Sequence, residues 1–266
     1  MQRPFLFFSP ANFSYLCPIK FVFTVAMKIK LFTIPNMLTL GNLMCGSCAV
    51  LFLGVLRPML VFWLVVMAAI FDFLDGFSAR VLKKPSEIGI ELDSLADIVS
   101  FGLVPAAVLM RVYAYHSTHF IFDWPQWAYT AGQFVPLLIT AFSALRLAKF
   151  NVDDSQHTEF CGLPTPANAL FCTSLAAIIS SGEFMLPGEV LVLISIISAV
   201  LLITPVRMFS LKFHNFAWKG NEIRFIFLAL AVCTIFVCRQ YSVPVIIVLY
   251  IVMSLVRNIA RKCCKS

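Results

Sequence analysis

Asp72 and Asp75 stand three residues apart and Asp93 and Asp97 four apart, so on helices each pair projects from a single face. An uncharged apolar run, Met59 to Ile70, precedes the first pair, and another, Phe101 to Met110, follows the second. Carboxylates at the edges of membrane-like segments are costly. Near the middle of a membrane helix each costs about 2.5 to 3.5 kcal/mol, so four together cost on the order of 10 kcal/mol unless cations neutralise them. Oxygen ligands without His or Cys suit Mg²⁺, Mn²⁺ or Ca²⁺ rather than zinc, and a divalent ion held by carboxylates on one side commonly has phosphate on the other. Gly76, Ala79 and Gly89 are small where a bulky ligand would approach the backbone. Arg80, eight residues past Asp72, can reach a phosphate or close one of the carboxylate pairs. Metal-assisted phosphoryl chemistry is one reading of these residues. A membrane-buried salt-bridge cluster around Arg80 and a carboxylate relay in an ion or proton transporter are the others.

The elements that must position these groups are membrane helices. The chain has 266 residues, 61% of them hydrophobic and only 12% charged, and its mean hydropathy is +0.92; this is far more apolar than an ordinary soluble domain. The reading is an all-α, polytopic membrane bundle in one domain, with eight spans at about 35–56, 59–82, 93–113, 127–149, 164–181, 188–206, 222–238 and 243–257. Arg239 and Pro244 interrupt the last two. With the amino terminus in the cytoplasm, Arg80, Lys83, Lys84, Arg146, Lys149, Arg207, Lys212, Lys219, Arg224, Arg257, Arg261, Lys262 and Lys265 fall on one side, and only Arg57, Arg111 and Arg239 near the other. That asymmetry places both ends and the aspartates at the cytoplasmic face, and the Tyr113 to Gln126 loop outside. It also accounts for the net charge of +7 without nucleic acid as a partner. Residues 1–26, broken by Pro4, Pro10, Pro18 and Lys20, form neither a signal peptide nor a continuous span. They read as an upstream extension of the frame, with the membrane domain occupying 27–266.

Two further polar sets stand out. Pro35, Asn36, Thr39 and Asn42 recur at helical spacing in the first span, where they either hydrogen-bond neighbouring helices or contact a ligand at the cytoplasmic end. Arg146 and Lys149 close the fourth span, and Gly162-Leu-Pro-Thr-Pro166 leads into the fifth; basic residues there satisfy the helix dipole and the topology, or hold an anionic substrate group. Cys45 and Cys48 have redox-motif spacing but sit among small residues inside a span, which favours helix packing. His116 and His119 read as solvated loop residues. No Ser/His/Asp or Cys/His nucleophile system is apparent.

Read as Asp72-x-x-Asp75-Gly76-x-x-Ala79-Arg80, then Gly89-x-x-x-Asp93-x-x-x-Asp97, the central stretch resembles the complete signature of the CDP-alcohol phosphatidyltransferases. The resemblance implies that Asp72, Asp75, Asp93 and Asp97 bind Mg²⁺ or Mn²⁺, and that Asp97 is also the general base. It implies that Gly76, Ala79, Arg80 and Gly89, with Asn36 and Thr39, contact CDP-diacylglycerol. Met27 opens a short basic start like that of family members. Arg146-Leu-Ala-Lys149-Phe-Asn151, Gly162-Leu-Pro164 and Met208 to Phe213 are similar to segments of the CDP-diacylglycerol serine phosphatidyltransferases, with Lys149 where Arg is commoner. By that resemblance Arg146 and Lys149 hold the acceptor, the substrates are CDP-diacylglycerol and L-serine, and the products are phosphatidylserine and CMP. The expected setting is phospholipid biosynthesis in a bacterial cytoplasmic membrane, by a homodimer whose active site faces the cytoplasm. Another acceptor, such as glycerol phosphate or inositol phosphate, is the alternative within the family.

Overall fold

The computed structural model describes residues 32–55, 57–82, 87–116, 120–152, 160–182, 185–208 and 221–263. Residues 1–26, Lys83, Lys84, Ser117 to His119, Asp153, Asp154, Lys212 and Lys219 lie outside that set. Among the described residues the chain is helical apart from one two-residue antiparallel pair, β1 (Phe160–Cys161) with β2 (Arg207–Met208). α1 (Ile34–Leu53) begins where Thr33 accepts from the backbone N–H of Asn36, with Pro35 in the first turn, where its missing N–H costs nothing. α2 (Pro58–Val81) packs along α1 and ends just past Arg80.

The next stretch is one helical run in three parts: α3 (Glu87–Asp97), a π-helical segment (Ile98–Leu103) and α4 (Val104–His116). Pro105 supplies a reason for the π turn. It has no N–H to give the preceding carbonyls and its ring crowds the carbonyl four residues back, so the ladder widens locally. After α5 (Gln126–Gly132) come α6 (Leu137–Val152), α7 (Thr165–Ser180) and α8 (Gly188–Ile203). α9 (Glu222–Cys238) is followed by a short 3₁₀ turn and α10 (Ser242–Cys263). The chain reverses at Arg239, which carries a φ of 46°, and Phe227 of α9 meets Tyr250 of α10 with ring centroids 5.8 Å apart. Pro244 falls in the first turn of α10, where proline is tolerated.

Five stretches are long and apolar enough to cross a membrane: Ile34–Leu53, Pro58–Val81, Ile88–Tyr115, Gln126–Val152 and Glu222–Ile259. This is a helical membrane protein. The polytopic helical bundle is as expected, and the exact count of eight spans is not confirmed. Thr165–Ser180 and Gly188–Ile203 are apolar but have 16 residues each, short of the roughly 20 that span hydrocarbon, and Glu222–Ile259 is divided at Arg239.

The core is built from small and β-branched side chains that let helices approach closely: Ala49 of α1, Val61, Val65 and Ala68 of α2, Val104 and Val108 of α4, Ala169 and Ala176 of α7. The tightest approach is at Gly46. A Cβ there would strike Ser100 of the π segment, lying 2.8 Å from its Cα. Backbone cannot move aside as a flexible side chain can. Gly46→Ala is therefore expected to destabilise the protein by about 1–3 kcal/mol, the usual cost of overpacking, read as a lowered Tm in detergent; an unchanged Tm would show that the α1 contact with the π segment is slack. Gly162 is constrained differently, with a φ of 82° and a Cβ position that would run into the Leu202 carbonyl. Its N–H bonds Val206 O at 2.9 Å, and that of Leu163 bonds Leu201 O at 2.9 Å. These contacts pin the entry of α7 to the end of α8.

Candidate active site

α1, α2 and α3 bring the aspartates together at one end of the bundle. Asp72 and Asp75 leave one face of α2, Asp93 and Asp97 one face of α3, and one carboxylate oxygen from each of Asp72, Asp75 and Asp93 lies within 4.8 Å of the other two. Asp97 stands one turn further along, outside that trio, only 7% exposed but within electrostatic reach of the other three. Carboxylates packed this closely repel unless a cation sits among them. Among the described residues no Lys or Arg forms an ion pair with any of the four. Arg80 is turned back along its own helix, its Nε donating to Gly76 O at 2.9 Å, so among the described residues it builds no salt-bridge cluster with the carboxylates. One oxygen of Asp93, Oδ1, is buried with no hydrogen-bond partner. An all-oxygen trio with an orphaned buried carboxylate oxygen fits a hard divalent cation.

The polar set of the first span does bond neighbouring helices, and its partners are these aspartates. Thr39 Oγ1 donates to Asp75 Oδ2 at 2.6 Å, and Asn42 Nδ2 donates to Asp97 Oδ1 at 3.1 Å. Ser100 Oγ in turn donates to the backbone carbonyl of Asn42 at 3.0 Å. Thr39 and Asn42 are buried on one face of α1, so each fixes the rotamer of a carboxylate on another helix. Asn36, one turn before Thr39, is buried as well. Asn42 belongs to the polar set read in the first span, whereas Ser100 was not among the expected site residues. Asn42 was visible in the spacing of the polar set; Ser100 was not, because only the π segment aims it at α1.

Small residues leave the approach open. No atom lies within 4 Å of where a Cβ on Gly76 would stand; Ala79 and Gly89 are half-buried on the same two helices. On the other flank, α6 presents Arg146, whose Nη1 lies 3.3 Å from Thr165 Oγ1 at the start of α7. Its Nε is buried without a partner, and the guanidinium is within electrostatic reach of Asp97. Lys149, one turn on, is exposed. Asn151 Nδ2 donates to Ser94 Oγ at 2.8 Å, tying the end of α6 to α3. Cys45 and Cys48 are free thiols within α1, and Cys45 packs against the core, as the packing reading expects.

Two helices carrying paired aspartates, braced by a third and flanked by the half-buried Arg146, form the candidate active site. Residues 32–206 match the profile of the CDP-alcohol phosphatidyltransferase family, and the chain belongs to that family: it is a phosphatidyltransferase. Individual relatives agree. A CDP-diacylglycerol–serine O-phosphatidyltransferase of Helicobacter pylori is 29% identical over 230 residues, covering 85% of this chain and 91% of the relative. The Bacillus subtilis protein of the same name is 35% identical over 135 residues, covering 50% of this chain and 69% of that one. The Methanocaldococcus jannaschii protein of that name is 32% identical over 152 residues, 57% and 64% of the respective chains.

Proposed function

We propose that this chain transfers the phosphatidyl group of CDP-diacylglycerol to the hydroxyl of L-serine, forming phosphatidylserine and releasing CMP. The similarity to serine phosphatidyltransferases supports it, and the observation that carries the acceptor choice is Arg146. A half-buried arginine whose Nε is buried and unpartnered, held by Thr165, suits the planar carboxylate of an amino acid. Serine brings its own ammonium. A phosphorylated acceptor calls for more positive charge, and the other cation of this pair, Lys149, is exposed.

Asp72, Asp75, Asp93 and Asp97 would hold Mg²⁺ or Mn²⁺, which when bound neutralises the pyrophosphate and stabilises charge gathering on the phosphoryl group. Asn36, Thr39, Gly76, Ala79, Arg80 and Gly89 line the donor side. Gly76 and Ala79 let the nucleotide lie close to α2, and Arg80 needs only to give up its bond to Gly76 O to meet a phosphate. The acyl tails stay in the bilayer along the lipid-facing side of α2, where Phe73 and Phe77 are exposed and stacked at 6.5 Å. Arg146 orients serine through its carboxylate, and Asp97 accepts the hydroxyl proton as the serine oxygen bonds to phosphorus and the bond to the CMP oxygen breaks. Asn42 holds Asp97 with one oxygen engaged, leaving the other for that proton.

Arg146→Lys is expected to raise the serine KM about tenfold or more while the CDP-diacylglycerol KM changes little, because the fork is lost and the charge kept. Faster CMP release with glycerol phosphate or inositol phosphate than with serine would overturn the acceptor assignment and leave the family intact. The charge asymmetry of the loops supports a cytoplasmic site. In that orientation a cysteine at exposed Asp123, in a background lacking the native cysteines, reacts with an impermeant maleimide on intact cells; reaction only after permeabilisation would invert it.

A further inference from the structure

At the end of the bundle remote from the aspartates, a cavity of about 250 Å³ lies between the end of α1, the second half of α4 and the turn after α5. Its apolar wall comes from Leu53 and from Ala107, Met110 and Ala114, which recur along one face of α4. Two polar side chains join them, Arg111 and Gln133. Arg111 is fourteen residues beyond Asp97 in one helical run, about 20 Å at the rise of a helix, so this is not the donor or acceptor site. Its guanidinium carbon sits 4.0 Å from the centroid of the Tyr115 ring, one turn further along α4, which holds the group in place. Nε is buried and has no hydrogen-bond partner, and among the described residues no carboxylate pairs with Arg111. A half-buried arginine held in place, with its Nε buried and unpartnered and no counter-charge among the described residues, is a site for an anion.

The surroundings select the kind of anion. A free phosphate would need several donors, whereas among the described residues of the wall only Arg111 and Gln133 have polar side chains and the rest suits glycerol and methylene groups. Among the described residues the wall carries no Asp or Glu that would pair with a headgroup ammonium, so choline or ethanolamine headgroups gain nothing from it. We propose that this cavity binds the phosphodiester of an anionic phospholipid from the leaflet opposite the aspartate cluster, with Arg111 on the phosphate and Leu53, Ala107 and Met110 against the glycerol end of the chains.

Delipidated protein in detergent, offered phosphatidylglycerol or phosphatidylcholine with the same acyl chains, is expected to retain the first about tenfold better by native mass spectrometry, the size of one charge-assisted contact. Arg111→Gln abolishes that preference. Ala107→Leu fills the cavity with the guanidinium intact, lowers phosphatidylglycerol retention to a similar degree, and serves alone should the arginine variant not fold; unchanged serine-dependent CMP release shows that either variant is folded. Equal retention of the two lipids by the wild type overturns the proposal, as does undiminished phosphatidylglycerol binding in the folded variants. Displacement of the lipid by millimolar inorganic phosphate makes it a free-phosphate site. Loss of the preference in Arg146→Lys but not in Arg111→Gln moves the lipid to the acceptor pocket, and also overturns it.

Discussion

Asp97→Asn is expected to lower kcat by about 10²- to 10⁴-fold, the usual contribution of a positioned general base, with Mn²⁺ and CDP-diacylglycerol binding partly retained. Asparagine has the same shape, and its amide oxygen can still accept from Asn42 Nδ2, so the contact of α1 with α3 survives. Asp97 lies outside the close trio of Asp72, Asp75 and Asp93, which leaves the donor site with three carboxylates. It also lies within electrostatic reach of Arg146, on the acceptor side. What is lost is the basic oxygen. Single-turnover CMP release at saturating serine, set beside Mn²⁺ binding measured by paramagnetic resonance, separates the two effects. Near-native turnover would assign the base to another group; loss of metal binding equal to the loss of turnover would make Asp97 a ligand first.

Asp75→Asn should fail earlier in the sequence of events. Asp75 is one of the three carboxylates whose oxygens converge, is 6% exposed, and receives the short hydrogen bond from Thr39. The amide removes one negative charge from the trio and can turn a donor N–H towards the cation. Replacing a group that merely orients a ligand costs 10- to 100-fold in metal affinity, so losing a ligand oxygen should weaken Mn²⁺ binding by about 10²-fold or more. Nucleotide binding that depends on the ion should fall with it, and kcat/KM with both. The contrast with Asp97→Asn is the informative result: one variant binds and does not turn over, the other does not bind. If Asp75→Asn held Mn²⁺ as tightly as the wild type, the trio would not be the cation site.

Much of this chain is written in local sequence. Apolar runs such as Met59 to Ile70 are long enough to be membrane helices whatever surrounds them, because backbone polar groups in hydrocarbon must bond within their own segment. The i, i+3 and i, i+4 spacings of the aspartates put each pair on one helix face by geometry alone. The small residues at Gly76 and Ala79 were recognisable for the same reason, and so was a basic end to the fourth span. The exact number of membrane crossings was not, since α7 and α8 carry the hydropathy of a span in only sixteen residues each.

How the helices sit against one another was decided only in three dimensions, because it depends on contacts between residues far apart in sequence. Nothing in the spacing of Asp93 and Asp97 says that one joins Asp72 and Asp75 while the other is drawn aside by Asn42. That division follows from α1 lying close against the π segment at Gly46 and Ser100. Arg80 is the opposite case. Its position in the motif suggests a partner for the carboxylates, yet the Gly76 carbonyl one turn back is nearer and holds it. The union of Arg146 with Thr165 depends on the left-handed turn at Gly162, which ties the start of α7 to α8. A helix face is a property of consecutive residues, whereas a pocket is a property of the packing that brings several faces together.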